Sequence, residues 1–170
     1  LRGRVLSRSG AFEAQNAKKA AFPAFAPGWY TGGGEARLDS ATAGLTVLLV
    51  EDDRDGRRMY ADWLRGAGFL VEEAHNGLQA LERAFDLHPD IIVADLNIPG
   101  IDGFELTRRL KQDPRTRDLP VLAVTGYAAF AAEPERARRA GCDGVLSKPC
   151  SLDDLEASIR DLLRERSGYR

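Results

Sequence analysis

At 170 residues the chain has room for one domain of ordinary size with an appendage, and too little for two full cores. Hydrophobic residues at 44%, charged residues at 29% and a formal net charge of -2 are ordinary globular values, giving no field suited to a nucleic-acid surface. Two cysteines (Cys142, Cys150) and two histidines (His75, His88) exclude a disulfide framework and zinc-type spacing, and no apolar run nears the roughly 18 residues of a membrane span. A reduced, cytoplasmic setting without membrane insertion is therefore expected.

Residues 1–44 carry "AAFPAFAPGWYTGGGEARLDSATAG", rich in Ala, Pro and Gly and without a sustained period. They are expected to form a flexible tail or linker, whether a cloning remnant or the end of an upstream domain. A transit peptide is the alternative. From Thr46 onward short apolar runs alternate with helical periods, the pattern of a parallel sheet covered by helices.

"TVLLV" predicts a first strand buried on both faces. Tyr60, Trp63, Leu64 and Ala67 then mark the inner stripe of a helix, closed by Gly66 and Gly68. "FLVEEA" predicts a second strand, and Asn76-Gly77 turns into a helix with Leu78, Leu81 and Phe85 on one stripe. "IIVAD" predicts the third strand. A Pro-Gly turn leads to a helix carrying Phe104, Leu106 and Leu110, "VLAVT" follows as the fourth strand, and a fourth helix is expected from about Ala128 to Ala140. "GVLSK" is the fifth strand, after which Ser151 and Asp154 form a capping box before a helix buried through Leu155, Ile159, Leu162 and Leu163.

In an open parallel sheet ligands bind beyond the carboxyl ends of the strands. Those ends carry Glu51-Asp52-Asp53, Asp95, Thr125-Gly126 and Ser147-Lys148-Pro149. Converging carboxylates repel one another unless a cation intervenes, and hard oxygen ligands suit Mg²⁺. A lysine and a hydroxyl opposite them can bind phosphoryl oxygens, so the set reads as phosphoryl transfer to a carboxylate. Asp53, just past the pair, reads better as a helix N-cap than as a ligand.

The acidic pair, "DLNIPGIDG", "VTG" and "KP", in this order, resemble the response-regulator receiver domain of two-component signalling, from about Leu45 to Arg164. The resemblance implies a flavodoxin-like doubly wound α/β fold with five parallel strands in the order 2-1-3-4-5 and five helices. The receiver is expected over residues 45–166, with a C-terminal tail at 167–170. The resemblance further implies Asp95 as phosphoacceptor, taking a phosphoryl group from a phosphohistidine. Glu51, Asp52, Asp95 and the backbone carbonyl of Asn97 would hold Mg²⁺, and Lys148 and Thr125 would bind the phosphoryl group. Pro149 resembles the family's cis-proline turn, and Tyr127 and Asn97 stand where aspartyl-phosphate lifetime is tuned. An aromatic residue often stands three positions before the lysine and moves with the threonine. Here that position is Val145, which puts the usual switch in question.

The function expected is a phosphorylatable receiver with only intrinsic phosphotransfer and autodephosphorylation activity. Its partners would be a sensor histidine kinase or histidine phosphotransfer protein and a downstream protein target, with no direct nucleic-acid contact. Only "ERSGYR" follows the closing helix, so a stand-alone regulator or the receiver end of a hybrid kinase is expected. Output, including a homodimer, would use the fourth helix, fifth strand and fifth helix. The rivals are a non-phosphorylated pseudo-receiver and a phosphohydrolase of the haloacid dehalogenase type, which is disfavoured by Asn97 where that family has a second Asp.

Overall fold

Thr46–Val50 forms strand β1, and its alternation explains the rest of the architecture. In the computed structural model of the chain, which describes residues 44–126 and 134–167, Val47 and Leu49 enter one apolar cluster while Leu48 and Val50 enter another. Successive strand side chains point to opposite faces, so a run apolar at every position needs cover on both. Helix α1 (Arg54–Gly66) and helix α5 (Leu152–Ser167) supply it on one side through Tyr60, Leu64, Leu155, Ile159 and Leu163. On the other side lie α2 (Gly77–Leu87) and α3 (Gly103–Gln112), through Ala80, Ala84, Leu106 and Leu110.

The remaining elements are β2 (Leu70–Ala74), β3 (Ile91–Ala94), β4 (Val121–Gly126), α4 (Pro134–Ala140) and β5 (Gly144–Lys148). The five strands are all parallel in the order β2-β1-β3-β4-β5, as expected. Asp53 caps α1 by accepting the Gly56 N–H at 2.6 Å, and Ser151 Oγ caps α5 by accepting the Asp154 N–H at 3.0 Å. Both caps fall where the sequence places them. The expected tails at 1–44 and 167–170 lie almost wholly outside the described residues, as do Tyr127 and the first turns expected for α4. No helix among the described residues is long and apolar enough to cross a membrane.

One expectation is corrected. The inner face of α2 is Gly77, Ala80 and Ala84, while Leu78 is 56% exposed and Leu81 and Phe85 are only partly covered. The helix lies too close to its neighbours for large side chains. A Cβ on Gly77 would stand 2.3 Å from the Ile101 carbonyl oxygen, and Ala80 and Ala84 pack with Ala74 and Ala94 of the sheet. Small residues make the closest contact, Leu81 packs against the same cluster while only partly buried, and Leu78 is turned to solvent.

Candidate functional site

The register delivers the site. Val50 pairs with Ala94 and Ala94 with Ala123, so the residues that follow these strands emerge side by side; at the far edge Gly126 pairs with Lys148. Backbone bonds hold the exit points in place: the Asp95 N–H donates to the Val50 carbonyl at 2.9 Å and the Glu51 N–H to the Ala74 carbonyl at 3.1 Å. Strands buried on both faces thus fix two carboxylates rigidly at one end of the sheet.

Glu51, Asp52 and Asp95 each bring a carboxylate oxygen within 4.8 Å of the others. Lys148 Nζ bridges two of the three, donating to Glu51 Oε2 at 2.5 Å and to Asp95 Oδ2 at 2.6 Å. The second oxygen of Asp95 accepts the Asn97 N–H at 2.9 Å. Asp52 stays exposed, whereas the Glu51 side chain is 6% and the Asp95 side chain 11% accessible. The cluster is open to solvent on the Asp52 side and closed beneath.

Burial pushes the Glu51 carboxyl above its ordinary range, aided by the charge of Asp95 and opposed by Lys148. For Lys148 burial works against the charge, but hydrogen bonds and attraction to Asp95 and Glu51 outweigh it, so the amine is held protonated. Tyr60, whose ring centroid lies 6.0 Å from Lys148 Nζ, is pushed up to about 12, chiefly by burial. The site therefore carries a fixed ammonium between two acids, one of which has little access to water.

Thr125 stands at the end of β4, wholly buried, and its hydroxyl has no hydrogen-bond partner among the described residues. A buried polar group normally finds one. Its neighbour on β5 is Ser147, beside Lys148, and the Lys148–Pro149 peptide is cis. Three clustered carboxylate oxygens and a partnerless hydroxyl at the same end of the sheet fit a hard divalent cation with an oxyanion beside it. Val145 is buried on β5, three residues before Lys148. His75 and His88 are exposed, His88 in the left-handed region at the end of α2.

One residue of the site is missed by period and motif. Arg57 folds back from α1 and donates through Nη1 to the carbonyls of Glu51 at 2.7 Å and Asp52 at 3.3 Å. A signal for it exists, because a cation in the opening turns of a helix opposes the helix dipole and calls for another use.

A doubly wound five-stranded sheet with an acid cluster, a lysine and a buried threonine at its carboxyl edge defines the receiver class of signalling modules. The chain belongs to the response regulator receiver domain family, whose sequence profile matches residues 47–160. The polar-differentiation response regulators DivK of Brucella ovis and Brucella suis are 36% identical over 118 residues, covering 69% of this chain and 95% of theirs. Among solved structures, a response regulator from Chloroflexus aurantiacus is similar with a TM-score of 0.67 and 34% identity, over 71% of this chain and 98% of that one. The receiver domain of a sensor histidine kinase from Pseudomonas aeruginosa, with magnesium coordinated in its active-site cleft, is similar with a TM-score of 0.66 and 29% identity, over 71% and 98%.

Proposed function

We propose that this receiver accepts a phosphoryl group on Asp95 from the phosphohistidine of a sensor histidine kinase or histidine phosphotransfer protein. The observation that carries the reading is the double engagement of Lys148 with Glu51 and Asp95, at the same end of the sheet as a buried threonine hydroxyl with no partner among the described residues. Glu51, Asp52, Asp95 and the Asn97 carbonyl would hold Mg²⁺, which when bound offsets the charge of the acids and of the phosphoryl oxygens.

The chain's own groups do the rest. Asp95, held by Lys148 on one oxygen and the Asn97 N–H on the other, attacks phosphorus as the phosphorus–nitrogen bond to histidine breaks, leaving an aspartyl phosphate. Lys148 moves its donation from the carboxylate to a phosphoryl oxygen, where a compact point charge suits the developing negative charge. Thr125 donates its free hydroxyl to another, which gives the orphaned group a partner. The hydrolysis of the acyl phosphate returns the domain to its resting state, so the activity is that of a timed switch rather than of an enzyme with turnover on a free substrate.

Signalling follows by protein contact in the cytoplasm, through α4, β5 and α5 toward a downstream target or a second copy. With Val145 in place of an aromatic residue, the rearrangement runs through Thr125 without a rotating ring behind it. Beryllofluoride binding tests the site. The full chain takes it up with Mg²⁺ and not with EDTA, and the Asp95→Asn variant does not take it up at all. Absence of uptake by the parent chain would favour a pseudo-receiver that acts only as an interaction module.

A further inference from the structure

Arg57 occupies an unusual place for a cation. It sits in the second turn of α1, its own N–H donating to the Asp53 carbonyl at 2.9 Å, and its side chain is only 18% exposed. The guanidinium is held from two directions. Nη1 donates to the Glu51 and Asp52 carbonyls, while Nε lies 3.4 Å from Glu73 Oε2 on β2, whose other oxygen receives Arg65 Nη2 at 2.9 Å. A planar fork pinned by a carboxylate on one edge is preorganised to grip carbonyls on the other.

The two carbonyls it grips belong to the two residues whose side chains lead the acid cluster. The Glu51 N–H is already bound to β2, so with its carbonyl fixed the peptide planes on both sides of Glu51 are set. The direction of its side chain follows. Beyond Glu51 the chain has left the sheet, and Arg57 together with the Asp53 cap ties this loop to α1.

From this geometry we infer that Arg57 is a positioning residue for the divalent cation: it orders the Glu51-Asp52 loop so that both carboxylates are presented to one ion. The inference rests on the Mg²⁺ reading of the site. A positive charge beside a cation site would by Coulomb repulsion alone weaken binding. Removing Arg57 should then tighten Mg²⁺ if charge is all that matters, and loosen it if positioning dominates.

The test is the Mg²⁺ dissociation constant of the full chain by titration calorimetry, for the parent, R57A and R57K, with each protein's unfolding midpoint measured in EDTA. The expected result is about tenfold weaker binding in R57A, the lower end of what outer ligand-orienting groups contribute. R57K, which keeps the charge but cannot reach both Glu73 and the carbonyls, falls between, and each variant remains folded at the titration temperature. Unchanged or tighter binding in R57A overturns the inference. If R57A fails to fold, R57K decides: weaker binding supports positioning and parent-like binding overturns it. A parent chain that shows no saturable Mg²⁺ binding removes the metal reading itself, and this inference with it.

Discussion

Replacing Lys148 by methionine removes the ammonium that bridges Glu51 and Asp95 while keeping most of the side-chain volume. Breaking a fully buried ion pair costs about 3–5 kcal/mol. Lys148 is 25% exposed, which reduces this, to about 2 kcal/mol after allowance for screening. Seen from the acids, the same cost is the repulsion between freed carboxylates, about 3 kcal/mol for oxygens 4.8 Å apart at an effective dielectric of 20, and it is not added to the first figure. The metal-free variant should therefore lose about 2–4 kcal/mol, which for a domain of this size lowers the unfolding midpoint by about 10 °C. Mg²⁺ replaces the missing charge, so the midpoint gained on adding saturating Mg²⁺ should be larger in Lys148→Met than in the parent. Thermal unfolding followed by circular dichroism, in EDTA and in Mg²⁺, measures both. A variant that unfolds within a degree or so of the parent in EDTA, or that gains no more from Mg²⁺, would refute the idea that Lys148 neutralises the acids.

Thr125→Val should raise the unfolding free energy in urea by about 1 kcal/mol, because a buried hydroxyl with no partner among the described residues is replaced by a group that needs none, and should weaken beryllofluoride binding. Equal stability and unaltered binding would count against the role given to that hydroxyl. Gly103→Ala should cost about 2 kcal/mol by overpacking, since its Cβ would lie 2.6 Å from both the Asp95 carbonyl oxygen and Leu96 Cα, which are backbone atoms with no rotamer to change; urea denaturation checks it. Glu51 holds its proton to higher pH in the folded protein than in the unfolded chain. Its contribution to metal-free stability is thus complete below the ordinary carboxyl value of 4.5 and is lost as pH rises through the raised one. Parent minus Glu51→Gln unfolding free energies, measured across that interval in EDTA, should fall with pH, and a rise would contradict the assignment.

Much of the architecture is written in local sequence because a parallel sheet buried on both faces leaves a simple trace. "VLLV" after Thr46, "IIVA" and "VLAV" are apolar at every step, and the residues that break each run are the ones the strand ends present. The caps at Asp53 and Ser151 are legible for the same reason, since a short polar side chain bonds a backbone N–H only three residues ahead. The inner face of α2 is not legible in the sequence because leucines stand at helical spacing while the closest contact is made by glycine and alanines. Contact there is set by how closely Ile101 and the sheet approach, which is a tertiary distance with no period in the chain. Arg57 leaves only a weak trace, a cation where the helix dipole disfavours one, because its bonds run backward six and five residues to carbonyls and no side-chain spacing records them.

The phosphoryl group proposed for Asp95 has a direct chemical readout. Borohydride reduces an aspartyl phosphate to homoserine, so incubation of the full chain with a phosphohistidine donor or acetyl phosphate in Mg²⁺, followed by reduction and peptide mass mapping, reads the acceptor directly. Homoserine is expected at position 95, and is absent when EDTA replaces Mg²⁺. Homoserine at another aspartate, or none after a donor that labels a known receiver in the same reaction, would contradict it.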